Sequence, residues 1–193
     1  MSLTITVYCA SSRKIDKKYF DDTILLADEL IKRDVKILYG GGAVGLMGAL
    51  ADRYLEKDGQ IVGIIPEFMA KIEWAHPQVK EMHIVRDMHE RKRKLLEGSD
   101  AVIALPGGTG TLEELSEAIT LKRLGHYNNP ILLLNTGDFY SPLSDFFRKM
   151  ADEKFLNKEH LKMWQLFDSP SDFWTTYDNF PKWYDNAIHI AQV

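Results

Sequence analysis

Nine consecutive residues, Pro106-Gly107-Gly108-Thr109-Gly110-Thr111-Leu112-Glu113-Glu114, bring together three glycines, two threonines and two carboxylates. They lie between a short apolar run, Ala101-Val102-Ile103-Ala104-Leu105, and a helical pattern starting near Leu112. At a strand-to-helix turn, residues of this kind leave backbone N–H groups free to face an anion, with the positive end of the helix dipole behind them. A phosphate cradle with acids beside it suits chemistry on a phosphorylated small molecule. Glu114 has a second explanation, because Thr111 and Glu114 have the spacing of a capping box with Thr111 at the N-cap. A capping box does not need Gly107, Gly108 and Gly110 ahead of it, so a site is the preferred reading.

Three other segments follow apolar runs and carry suitable residues. Ala10-Ser11-Ser12-Arg13 offers hydroxyls to a phosphate, and Ser12 is the candidate, although an ordinary helix-capping turn explains the same residues. Gly40-Gly41-Gly42-Ala43-Val44-Gly45 matches a dinucleotide fingerprint in form only, since the one acid at the required distance is Glu67, beside Pro66. It reads instead as a second wall of a nucleotide-sized pocket, with Gly41 and Gly42 near the ligand. Asp87-Met88-His89-Glu90-Arg91-Lys92-Arg93-Lys94 opens a helix with a second capping box, Asp87 and Glu90. Arg93 and Lys94 read as a solvated face, whereas Arg91 and Lys92 stand where a cation can reach the pocket.

The elements that position these segments alternate along the chain. Strand-like runs cover residues 3–8, 35–39, 60–65, 82–85, 101–105 and 130–134, and helical periodicity covers 17–32, 46–57, 88–96, 112–124 and 140–151. Several strands are apolar throughout, as expected when helices cover both faces of a sheet. The predicted fold is α/β, a doubly wound, mainly parallel Rossmann-like sheet flanked by helices, in one domain over residues 1–193. Residues 154–193 carry Trp164, Phe173, Trp174, Tyr177, Phe180, Trp183 and Tyr184 without a clear strand. They read as a C-terminal helical segment whose aromatic rings pack on the sheet or on a partner subunit.

Bulk properties narrow the function. The chain has 193 residues, 45% of them hydrophobic and 27% charged, which is ordinary for a globular protein. A net charge of −4 offers no basic excess for nucleic acid. No apolar run approaches the ~18 residues that cross a bilayer, so no membrane is expected. The single cysteine, Cys9, excludes an internal disulfide and suits the reducing cytoplasm; as the end of a strand it reads as a buried, inert thiol. His76, His83 and His89 are scattered and read as surface histidines rather than metal ligands.

The motifs G-G-G-x-x-G-L-M-G, M-H-x-R-K and P-G-G-x-G-T-x-x-E, in this order and over residues 3–145, resemble the Lonely Guy family. These are cytokinin-activating phosphoribohydrolases, often labelled possible lysine decarboxylases. The resemblance implies a Rossmann-like homodimer acting on a small-molecule nucleotide without a cofactor. It hydrolyses the N-glycosidic bond of a nucleoside 5′-monophosphate to free base and ribose 5-phosphate. It implies Arg91 and Glu114 as the catalytic pair. Lys92 and residues 108–113 would bind phosphate and ribose, with Gly107, Met88, Glu73 and Thr120 completing the site. Glu114, Glu117 and Thr120 are spaced three apart, so one helix face can present all three to the pocket. Leu95, Leu121 and Arg123 depart from the family pattern, at positions expected near the base pocket and subunit contacts.

An oxocarbenium-like transition state gains positive charge on the sugar, which a carboxylate such as Glu114 can stabilise while it orients or deprotonates water. Arg91 would bind phosphate or ribose, or keep Glu114 ionised by charge pairing. A non-catalytic nucleotide-binding or carrier protein on the same fold is the alternative, and it could dispense with both residues. A pyridoxal-phosphate decarboxylase would need a Schiff-base lysine and a pyridinium partner in a recognisable setting, and the sequence offers neither.

Overall fold

The computed structural model describes residues 3–72, 74–184 and 187. Seven strands form one parallel sheet: β1 (Thr4–Tyr8), β2 (Lys36–Tyr39), β3 (Ile61–Pro66), β4 (Glu81–Val85), β5 (Ala101–Ala104), β6 (Ile131–Leu134) and β7 (Gln165–Phe167). Between and after them run α1 (Lys17–Ile31), α2 (Gly45–Glu56), the short α3 (Glu67–Ala70), α4 (Met88–Leu96), α5 (Thr109–Arg123), α6 (Ser141–Asp152) and α7 (Phe173–Asp178). The strand order is β4-β3-β2-β1-β5-β6-β7. The chain builds outward from β1 to β4, then returns to β5 on the other side of β1. That reversal leaves a crevice at the carboxyl ends of β1 and β5, where ligands bind in open α/β sheets.

Both faces of the sheet are covered, which explains why its strands are apolar throughout. Alternate residues divide between them. Ile5, Val7, Ile37 and Tyr39 pack with Leu26 and Leu30 of α1, Leu46 and Leu50 of α2, and Phe173 and Trp174 of α7. Tyr8, Leu38, Val62 and Ile64 pack with Leu95 of α4, Leu115 and Ile119 of α5, and Trp164 and Trp183. The edge strand β4 is exposed along most of its length and carries Glu81 and His83, polar groups that blunt an open edge.

Three features differ from the sequence reading. The aromatic C-terminal stretch does contain a strand, β7, which pairs with β6 through Leu132–Gln165, Leu133–Leu166 and Leu134–Phe167. Three residues are too few to show a periodicity. Its rings do pack on the sheet domain: the indole N–H of Trp174 donates to the Glu29 carbonyl at 3.1 Å, and that of Trp183 to the Lys122 carbonyl at 2.8 Å. Helix α5 begins at Thr109, within the glycine run, with Gly108 as N-cap and no side-chain cap. The capping-box account of Thr111 and Glu114 is therefore incorrect. Finally, His76 is buried rather than superficial, its Nε2 lying 3.1 Å from Asp52 Oδ1.

Candidate active site

A cavity of about 320 Å³ opens at the crevice between β1 and β5. Its walls come from the β1 end (Tyr8, Cys9, Ala10 and Ser11), from Gly40 after β2, and from Gly108–Thr111 at the start of α5. Met47, Met69 and Met88 add thioethers from three helices, and Arg91 and Glu114 lie at its floor. The volume is at the lower end of small-ligand sites.

The glycine run is built for close approach. A side chain at Gly107 would collide with Thr111, so that glycine is required by the fold of the loop itself. Apart from the adjoining residues and the helix's own backbone, no described atom lies within 4 Å of where a Cβ would stand at Gly108 or Gly110. Packing within the chain therefore does not call for glycine at these two positions, and both line or border the cavity. The N-terminus of α5, with its unsatisfied N–H groups and positive dipole end, faces the same space.

Arg91 and Glu114 form the chemical centre. Arg91 projects from the first turn of α4, whose N-cap Asp87 accepts from the Glu90 N–H at 2.8 Å. The capping box expected there is half-formed, because the Glu90 carboxylate accepts from Arg86 N instead. The Arg91 guanidinium donates from Nε to the Ile64 carbonyl at 3.2 Å and from Nη2 to the Gly40 carbonyl at 3.4 Å. Its Nη1 lies 3.3 Å from Glu114 Oε1. That oxygen is buried and accepts no hydrogen bond among the described residues. Burial pushes the Glu114 carboxyl above the usual range; Arg91 opposes this, and Glu113 and Glu117 add to it. Cys9 also borders the cavity, with its thiol pushed far up by burial and by Glu114, so it is held protonated.

The remaining expected site residues are distributed as follows. Lys92, next to Arg91, turns away from the cavity and bonds to Glu113 and, at 2.8 Å, to Glu117. Burial draws its ammonium down, but the two carboxylates outweigh this and its pKa is raised. Glu113 is half exposed, and the adjacent Leu112 is exposed on the first turn of α5. Ser12 does not line the cavity, since its Oγ accepts from Lys14 N at 3.2 Å, the ordinary turn; Ser11 lines it instead. Gly41 and Gly42 are engaged elsewhere: the Gly41 carbonyl accepts from His76 N at 2.8 Å, and Gly42 bridges Ala75. Thr120 bonds back to the Ser116 carbonyl in a separate depression with Phe147 and Trp164. Six residues along a helix is about 9 Å, and Thr120 does not line the cavity that Glu114 lines. Glu73 lies outside the described residues.

Comparison with known proteins agrees with this architecture. A family model described as possible lysine decarboxylase matches residues 47–177. A probable cytokinin riboside 5′-monophosphate phosphoribohydrolase of Oryza sativa subsp. japonica is 42% identical over 155 residues, covering 80% of this chain and 70% of that protein. The chain belongs to the Lonely Guy family. The cytokinin riboside 5′-monophosphate phosphoribohydrolase of Rhodococcoides fascians is 41% identical over 154 residues, covering 79% of this chain and 78% of that one. A molybdenum cofactor carrier protein from Chlamydomonas reinhardtii superposes with a TM-score of 0.69 at 14% identity, covering 93% and 98% of the two chains. At that identity the likeness concerns the fold.

The positions that depart from the Lonely Guy pattern lie away from the cavity in this chain. Leu95 is fully buried in the sheet core, Leu121 lines a depression with Arg93 and Tyr127, and Arg123 lines the one with Thr120. Tyr8, Cys9, Ser11, Gly40, Met47 and Met69 were not singled out as site residues from the sequence. Ser11 and Gly40 fall in loops already marked by composition. Nothing local distinguishes the methionines from core residues.

Proposed function

We propose that this Lonely Guy protein hydrolyses the N-glycosidic bond of a nucleoside 5′-monophosphate, AMP or an N6-substituted adenosine monophosphate. The observation that carries the reading is the buried Arg91–Glu114 contact facing the N-terminus of α5 across one cavity. The 5′-phosphate sits at Gly108–Thr111, where backbone N–H groups and the helix dipole receive it. The ribose then lies over Glu114. As the C1′–N bond breaks, the Glu114 carboxylate stabilises the positive charge on the sugar and receives a proton from the attacking water. Hydroxide adds to C1′ to give ribose 5-phosphate, while the base leaves with the bond's electron pair and takes the proton held by Glu114, which returns to its ionised form. Arg91 keeps Glu114 ionised against the effect of burial. Lys92 holds Glu113 and Glu117, and through them the start of α5, so that it supports the cradle at one remove.

A pyridoxal-phosphate reaction does not fit these residues, because the described lining of the cavity contains no lysine to form a Schiff base. We assign the chain to the cytoplasm, a reading that its buried free cysteine suits. Among the described residues no helix is long and apolar enough to cross a membrane. A homodimer is part of the same proposal, supported by exposed Phe146 and Phe155 on and beside α6. Light scattering tests it, and a monomer at micromolar concentration would refute it.

Chromatographic assay of base release from a panel of nucleoside monophosphates, each paired with its nucleoside, tests the reading. The monophosphate should react at least ~100-fold faster than the nucleoside, because phosphate binding positions the ribose. Tight binding of a monophosphate without base release would instead identify a nucleotide carrier.

A further inference from the structure

Of the second glycine segment, Gly40 lines the cavity, and the structure gives it a further task. The guanidinium of Arg91 occupies the space beside the Gly40 Cα. A Cβ built on Gly40 would overlap Arg91 Nη2 and stand 3.4 Å from Cζ. Gly40 lies outside the positive-φ glycines, so alanine there would meet no backbone strain. The obstruction is the arginine head group, with the Met47 Sδ, the end of a flexible side chain, 3.0 Å away.

The arginine cannot yield as Met47 can. Its Nε and Nη2 are held by the carbonyls of Ile64 and Gly40, at the carboxyl ends of β3 and β2, while Nη1 faces Glu114. These contacts fix the planar guanidinium across two strand ends. Shifting it away from Gly40 moves it against the bond to Ile64 or changes its distance to Glu114. The geometry points to Gly40 as a positioning residue for Arg91: the missing side chain is the seat that aims the guanidinium at Glu114. The seat is independent of what the site does; its consequence for turnover rests on the phosphoribohydrolase reading.

The charged and titratable groups acting on Glu114 are Arg91 and Lys92 from α4 and Glu113 and Glu117 from its own helix, with Tyr8 and Cys9 of the β1 end also coupled to it. Of these charged and titratable groups, Arg91 is the one that stands against Gly40. The test is therefore a double-mutant cycle of Gly40→Ala and Arg91→Lys. Lysine lacks the Nη2 atom that the new methyl group would meet. The first readout is the Glu114 carboxyl titration, followed by 13C NMR in the unliganded protein.

Gly40→Ala should raise the midpoint of that titration by about half a unit or more, because an opposite charge within ~4–6 Å normally lowers it by about 1–3 units. In the Arg91→Lys background the same substitution should add no shift. A wild-type titration in Gly40→Ala would overturn the inference, as would equal shifts in both backgrounds. Should Gly40→Ala fold poorly, the cycle is read in melting temperature, and the loss must shrink when residue 91 is lysine. The second readout is base release: Gly40→Ala should lower kcat/KM at least tenfold, with its acid limb moved to higher pH, and again with little further loss beside Arg91→Lys. If wild-type protein released no base at all, the functional reading would fail while the titration still decided the seat.

Discussion

Arg91 and Lys92 are neighbours on α4, Glu113 and Glu114 are neighbours on α5, and the two connections they make between these helices are unlike. Lys92 is held by two carboxylates, Glu113 in short contact and Glu117 at 2.8 Å, and Glu113 is half exposed to solvent. Arg91 and Glu114 are both buried, meet at 3.3 Å, and leave Glu114 Oε1 without a hydrogen bond. The lysine connection shares one ammonium between two carboxylates, which stabilise it, although Glu117 Oε2 also accepts no hydrogen bond among the described residues. The arginine connection leaves a carboxylate short of partners, with its proton affinity raised. A buried polar atom without a partner costs stability, and such costs concentrate where a site needs an unspent group. One residue of helical rotation separates a clamp from the proposed reaction centre.

The largest expected effect breaks the arginine side of that comparison. Glu114→Gln should reduce base release by about 10³-fold or more while leaving the melting temperature unchanged or higher, since it removes a poorly satisfied buried acid. Unchanged turnover with a lower melting temperature would make Glu114 structural. Arg91→Met should cost about 10²-fold in kcat/KM, and the acid limb of the pH profile should move upward. The direction follows from the sign: Arg91 lowers the Glu114 pKa, so its loss leaves more of the acid protonated at any given pH.

Lys92→Met should show the opposite pattern. The expected loss is about 1–2 kcal/mol, discounted for the exposure of Glu113, or a fall of several degrees in melting temperature. Turnover should stay within about tenfold of wild type. A rise in KM confined to phosphorylated substrates would show that Lys92 releases its carboxylates to bind phosphate.

The last effect, which leaves turnover untouched, concerns a third arrangement, a buried lysine with no carboxylate partner among the described residues. Lys122 Nζ donates to the carbonyls of Asn128 and Asn129 and faces the rings of Phe180 and Trp183, and burial lowers its pKa from 10.5 to about 7. Because the folded value lies below the unfolded one, the unfolded chain binds the additional proton between about pH 7 and 10.5. Stability should therefore rise with pH across that window, by at most about 1.4 kcal/mol per unit. Comparing denaturant midpoints of wild type and Lys122→Met over the window should show this slope flattened; parallel curves would show that Lys122 does not lose its charge there.

The alternation of elements and the glycine run were legible in the sequence because both are local. Continuous apolar strands record burial on both faces, and Pro106-Gly107-Gly108-Thr109-Gly110 records a turn that must leave its backbone open. Strand β7 was not legible, since three residues carry no period. The pairing of Glu114 with Arg91 was expected from the family resemblance rather than from local spacing, since a T-x-x-E run on its own also describes a cap. Helix α5 had to start at Thr109 before Glu114 could turn inward to Arg91, 23 residues earlier in sequence.

The sequence by itself determined the α/β class, the motifs and the residue types available for charge chemistry, since propensity, periodicity and turn chemistry act over a few residues. Only the tertiary structure decided how those charges are shared. Arg91 goes to Glu114 and Lys92 to Glu113 and Glu117, Gly40 stands beside the Arg91 guanidinium, and Thr120 lines a separate depression. These outcomes depend on where β1, β2, β3 and β5 end relative to the two helices, and distances between strand ends are set by packing across the sheet rather than by spacing along the chain.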